Sequence, residues 1–126
     1  MLNRYLLMAC ALLPSLSAHA ADDYPSKPIR IVVPLAAGGG TDTLARVIAT
    51  KLRDRLGQPV VVENRSGAGG TIAGEAVASA APDGYTLLGD TSGHTMPPFL
   101  SKSVRYRPIR DFTPIMSSVE IGRAHV

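Results

Sequence analysis

The chain has no tryptophan, two phenylalanines and four tyrosines, so aromatics make up 5% of it. It has one cysteine, Cys10, inside an apolar segment near the amino terminus. A chain cleaved behind that segment can form no disulfide and offers no thiolate chemistry. Beyond residue 20 the histidines are His94 and His125, which with no cysteine is too poor a ligand set for a zinc site. No apolar run approaches the roughly 20 residues that a bilayer-spanning helix needs. No dense basic stripe accompanies the net charge of +3, which argues against a nucleic-acid surface. "RYRPIR" (Arg105 to Arg110) comes nearest, and it reads as a solvated loop. Heptads, internal repeats and low-complexity tracts are also missing.

What remains is the composition of a folded domain, 45% hydrophobic and 18% charged over 126 residues. Residues 1–20 read as a secretory signal peptide. Arg4 provides a basic start, "YLLMACALL" a short apolar core, and "AHA" a small-x-small cleavage site after Ala20. A membrane anchor is disfavoured by the shortness of that core. A lipoprotein signal using Cys10 would leave too short a leader. Loss of Arg4 with the leader leaves a charge of +2 on the exported chain. An exported domain without disulfides relies on its core, as is common in bacterial periplasms. The acceptor pattern Asn64-Arg65-Ser66 matters only in a eukaryotic secretory pathway.

"IRIVVPL" (Ile29 to Leu35) is apolar and β-branched, which suits a strand buried on both faces of a parallel sheet. "TDTLARVIATKLRDRLG" follows with Leu44, Ile48, Leu52 and Leu56 on one stripe, joined by Val47. Thr41 is the expected N-cap, Asp42 suits the positive first turn, and Gly57 is the expected stop. "QPVVVEN" (Gln58 to Asn64) reads as a second buried strand and "TIAGEAVASAAP" as a second helix. "YTLLGD" (Tyr85 to Asp90) reads as a third strand. "TSGHTMPPFLSK" begins a loop with a short helix, and "DFTPIMSSVEI" (Asp111 to Ile121) is a candidate fourth strand, demoted by Pro114. The β-α-β-α-β order predicts a parallel sheet with helices on both faces and right-handed crossovers.

Three special loops, "AAGGGTD", "NRSGAGGT" and "DTSGHT", leave the carboxyl ends of strands, where such sheets bind ligands. A helix N-terminus exposes backbone N–H groups and carries a partial positive charge. Glycine lets a ligand approach that backbone, so paired loops suit a carboxylate or phosphate. Ser66, Thr71, Thr91, Ser92 and Thr95 add hydroxyls. The competing reading is that the glycines serve tight turns. Sharper motifs fail. Thr43 stands where a dinucleotide fingerprint wants its third glycine, and no P-loop lysine follows either glycine run. Ser92, His94 and Asp42 are the residue types of a hydrolytic triad without a G-x-S-x-G elbow. A secreted hydrolase acting on an anionic substrate through Ser92 and His94 is therefore the second function class.

"YPSKPIRIVVP", "GGGTD", "LGQPVVVENRSGAGG", "A-x-PDGYTLL" and "RDFTPI" together resemble the substrate-binding proteins of tripartite tricarboxylate transporters, the Bug receptors. The resemblance runs from about Tyr24 to Val119. It implies a periplasmic, two-lobed binding protein of type II that captures small di- or tricarboxylates or related acids and passes them to a membrane permease. It implies no cofactor and no catalysis; a monomer with no metal and no nucleic-acid partner is the accompanying expectation. Carried onto this chain, the ligand-binding candidates are Gly38, Gly39, Gly40, Thr41 and Asp42 in the first loop. The second loop offers Ser66, Gly67, Ala68, Gly69, Gly70 and Thr71. Ser92, Gly93, His94 and Thr95 match a third region facing the cleft.

Two departures from the family pattern set further expectations. Family members are more than twice as long, so residues 21–120 correspond to part of the first lobe. "IGRAHV" (residues 121–126) breaks the pattern and reads as a foreign or frameshifted end. A truncated, non-functional product is the third reading. The expected behaviour is weak or absent carboxylate binding, with a tendency to aggregate through uncovered apolar surface.

Overall fold

A computed structural model describes residues 24–118. The leader reading of residues 1–20 and the atypical tail at 121–126 lie outside the described residues. Along the chain come β1 (Ile29–Val33), α1 (Gly40–Leu56), β2 (Val60–Asn64), a 3-10 turn (Ala68–Gly70), α2 (Thr71–Ala78) and β3 (Thr86–Leu88). A second 3-10 turn (Ser92–Thr95) and the short α3 (Pro97–Leu100) follow.

The strands form one parallel sheet in the order β2-β1-β3. Ile31 pairs with Val62 on one side and Leu87 on the other, so β1 is central and buried along nearly its whole length. The step from β1 to β2 goes one way, and the step from β2 to β3 returns across β1. Right-handed crossovers then put α1 and α2 on opposite faces. α1 covers β1 and β2, and α2 covers β3 and β1. The core under α1 is Ile31 and Val33 against Ala45 and Ala49, flanked by Val60, Val62 and Leu87.

This arrangement corrects the reading of β2 as a buried strand. β2 is an edge strand with one face under α1 and the other open, so Val61 is 53% exposed. On that open face Glu63 takes ion pairs from Arg30 and Arg65 instead of apolar neighbours. Arg65 first and then Arg30 hold the Glu63 carboxyl below its usual range.

The face of α1 also differs from expectation. Ala45 and Ala49 are the buried positions, Leu44, Ile48 and Leu52 are half-buried flanks, and Val47 and Leu56 are exposed. Alanines let the helix axis come close to the sheet, and the longer leucines straddle the contact. The predicted cap moves as well. Gly39, not Thr41, is the N-cap and makes no side-chain cap, while Asp42 reaches back from the first turn to accept the Gly38 N–H ahead of it. Gly57 ends α1 in the left-handed conformation as expected, its N–H bonded to the Arg53 carbonyl.

Residues 111–118 carry no strand, which corrects the expected fourth strand as far as the described residues go. Residues Phe112 and Asp111 act locally instead. Asp111 accepts the Arg107 N–H at 2.8 Å, and Phe112 packs edge-on against Tyr106 at 5.6 Å. Pro114 removes a ladder donor from the same stretch. Tyr106 is itself buried against Gly74 of α2, where any side-chain carbon would meet its ring at 2.7 Å.

Candidate functional site

All three strands point the same way, so the loops leaving their carboxyl ends gather on one edge of the sheet. The first loop runs from Pro34 into α1. Asp42 is its anchor and is 3% exposed. Its Oδ2 accepts the Gly38 N–H at 2.8 Å and Arg46 Nε at 3.0 Å, and its Oδ1 accepts Asn64 Nδ2 at 3.0 Å. Asn64 also donates to the Leu35 carbonyl and accepts from Arg46 Nη2. Arg46 first, then the Gly38 N–H and the Asn64 amide, lower the Asp42 carboxyl to a pKa of about 2. The same contact raises the Arg46 guanidinium.

This network ties the first loop to the end of β2, where the second loop begins. Both Asp42 oxygens are committed within it, so its chemistry here is bracing. It is also not the acid beside His94, whose carboxylate neighbour is Asp90. Gly40 and Thr41 begin α1, so their N–H groups have no intrahelical partner and can face a ligand.

Among the described residues the second loop has the least ordinary backbone. Gly67, Ala68, Gly69 and Gly70 all have positive φ, at 131°, 46°, 62° and 92°. A tight glycine turn of this kind leaves backbone N–H groups approachable, which favours anions. Glycine tolerates it freely, while Ala68 holds it against the left-handed penalty of about 1–2 kcal/mol. Gly70 N–H closes the turn onto the Gly67 carbonyl at 3.0 Å, and Thr71 opens α2 directly behind it. Ser66 stands exposed at the loop's entry.

The second loop touches the third, the 3-10 turn Ser92–Thr95. Between them lies a groove of about 430 Å³. Ala68, Gly69 and Thr71 form one wall, with Gly93 contributed by the third loop. Met96, Pro97, Leu100, Ser101, Ser103 and Val104 complete it. The structure thus gathers candidates from the second and third loops around one groove. Gly38 to Asp42 of the first loop are not part of its lining. The apolar wall from Met96 to Val104 was not singled out in the sequence, because a short "MPPFL" helix carries no recognisable site signal.

His94 does not line the groove and is partly enclosed. Its ring lies 5.6 Å from that of Phe112, and its carbonyl accepts the Tyr106 hydroxyl at 2.9 Å. Burial, then the charges of Asp90 and Glu75, raise the Tyr106 hydroxyl. Asp90 Oδ1 accepts the Thr91 N–H at 2.7 Å. Among the described residues no cluster of three metal-ligating side chains occurs, and no helix is long and apolar enough to cross a membrane.

A parallel sheet with glycine-rich loops on its carboxyl edge is the architecture of a periplasmic binding protein's ligand-bearing lobe, and solved structures bear this out. MatC from Rhodopseudomonas palustris, solved with malate, is 45% identical and superposes with a TM-score of 0.64 over 72% of this chain and 31% of its own. A second R. palustris protein, solved with adipate, is 46% identical with a TM-score of 0.51 over 52% of this chain and 22% of its own. Residues 44–124 match the model of the tripartite tricarboxylate transporter family receptor, and the chain belongs to that family. Protein BugT of Bordetella pertussis is 49% identical over 98 residues, 76% of this chain and 30% of BugT. The chain spans about a third of the length of the curated relatives it matches.

Proposed function

We propose that this chain contributes one wall of a carboxylate-binding cleft in a periplasmic receptor that delivers small organic acids to a membrane permease. The observation that carries the reading is the run of four positive-φ residues, Gly67 to Gly70, at the mouth of a groove. The amides of Gly67, Ala68 and Gly69 are left to face an anion, that of Gly70 being bonded to the Gly67 carbonyl, and α2 adds its positive end behind them. Gly40 and Thr41 supply a second pair of amides, while the Gly38 and Gly39 N–H groups are bonded to Asp42 and the Ala36 carbonyl, and Asp42, Arg46 and Asn64 hold this loop next to the second one. Ser66, Thr71, Ser92, Gly93 and Thr95 complete the ligand-facing set, and His94, which does not line the groove, braces the third loop. Malate and adipate in the two R. palustris relatives support a dicarboxylate as the ligand class. The family is one of solute-binding receptors, and we assign this chain capture without catalysis and without a cofactor. Export follows cleavage after Ala20, the working form is a monomer, and the partner is the transporter's permease.

The test is thermal unfolding of the chain with malate, adipate and a tricarboxylate at millimolar concentration. A ligand at 100 times its Kd raises stability by about 2.7 kcal/mol, so a binder lifts the transition by several degrees. No shift with any carboxylate, from a chain that unfolds cooperatively, overturns the proposal. Hydrolysis of an ester panel that disappears in Ser92→Ala and His94→Ala would replace it with the hydrolase reading.

A further inference from the structure

Asp90 and His94, whose side chain is 26% exposed, turn two buried polar atoms toward each other. The Asp90 side chain is 5% exposed, and its Oδ2 lies 3.7 Å from His94 Nδ1. Both atoms are buried and neither has a hydrogen-bond partner. Leaving such groups unsatisfied is costly, and more so for a charge. The two face each other, so each is the other's evident partner. The gap exceeds a charge-assisted hydrogen bond of about 2.8 Å by less than 1 Å.

We propose that Asp90 and His94 are positioning residues that form a proton-operated latch, which sets the shape of the third loop and with it the carboxylate affinity of the adjoining groove. Histidine is the side chain whose charge ordinarily changes between pH 5 and 8. The neutral tautomer with its proton on Nδ1 can already donate to Asp90 Oδ2, and the second proton makes that bond charge-assisted and draws the pair closed. The closure pulls on a short loop, because Asp90 Oδ1 already holds the Thr91 N–H. Gly93 rides directly on the carboxylate, where a side-chain carbon would sit 3.3 Å from Oδ2, and the same residue lines the groove. Pairing also cancels a buried negative charge beside a site for anions, so affinity rises as the latch closes.

The surroundings concentrate the response on this pair. Phe112 covers one side of the imidazole and carries no charge. Tyr106 fixes the His94 backbone through its hydroxyl, which burial keeps protonated throughout this range. Glu75 on α2 acts on the same pocket and is held by the Arg105 N–H at 3.1 Å.

The latch itself needs no ligand to be tested; only its effect on affinity rests on the carboxylate reading. Nitrogen-15 spectra of the full chain are recorded from pH 8 to pH 6. The amides of Thr91 and Gly93 should move in step with the His94 imidazole, and Asp90→Asn should uncouple them while the imidazole still titrates. Wild-type amides that stay put while His94 titrates overturn the latch, whatever the variants do. Calorimetry with malate and adipate then reads affinity at both pH values. Binding about fivefold tighter at pH 6, the low end of ordinary allosteric coupling, is expected, and His94→Gln should abolish the ratio. Binding with no such ratio removes the latch's effect on affinity. Coupled amides without binding at either pH sink the carboxylate reading and leave the latch standing.

Discussion

Asp42 shows how one carboxylate can organise two loops. It accepts the Gly38 N–H just ahead of the Gly39 N-cap, and it joins Arg46 to Asn64 across the sheet edge. Its carboxyl is lowered from 3.8 to about 2, chiefly by the Arg46 hydrogen bond. A depressed carboxyl stabilises the fold fully above its unfolded pKa and loses that contribution as pH falls through the folded one. Asp42→Asn should therefore unfold at a lower temperature than wild type at pH 7, and the difference should close between about pH 4 and pH 2. Thermal scans of both proteins across that range check it. A difference that persists at pH 2 would mean that packing, rather than charge, is what the substitution removes. Ala68 supplies the second residue-scale case. Its φ of 46° is tolerable for alanine and poor for a β-branched side chain. Ala68→Val should cost about 1–2 kcal/mol in urea unfolding and weaken any carboxylate binding, since the loop must reshape to admit it.

At the scale of elements, α1 rests on alanine. Ala45 and Ala49 touch the sheet under Ile31 and Val33, and no void accommodates a larger side chain in a close-packed contact. Ala45→Leu should destabilise the fold by about 1–3 kcal/mol, whereas Val47→Leu on the exposed side of the helix should be nearly silent. Equal losses from the two would place the buried face elsewhere. The sequence signal misled here for a definite reason. A leucine stripe marks the side of a helix nearest the core, but the line of closest approach is set by whichever residues are small enough to permit it. The strands were more legible, because "IRIVV" and "PVVVE" have no helical period. That β2 is an edge could not be read from "VVVE". Edge position depends on the order β2-β1-β3, and valines satisfy a half-covered strand as well as a covered one. The short Thr86–Leu88 strand ends before Gly89, whose side-chain position is occupied by Ile31 at 2.9 Å.

Across the whole molecule, the loops were legible as a set and their internal geometry was not. Glycine content marked them, and a parallel β-α-β-α-β order put them on one edge. The split between a bracing first loop and a groove between the second and third follows from side-chain partners of Asp42 and from Tyr106 packing on Gly74. Neither pairing has a spacing rule, since Tyr106 lies 32 positions beyond Gly74. The expected fourth strand failed because Phe112 is spent on the Tyr106 and His94 rings. The family match through residues 44–124 includes that segment, so its role in the cage around His94 belongs to the receptor portion of the chain.

Among the described residues the central strand is also the first. Synthesis delivers β1 early, yet Arg30 waits for Thr86 to pair on its second side. For that interval of more than fifty residues, the most apolar segment of the sheet has one open flank. Non-local parallel pairing of this kind is slow to form and leaves strands exposed to wrong partners. Holding the nascent chain extended until β3 has emerged would spare it that risk, and a refolding assay in which yield falls with protein concentration would show how large the risk is.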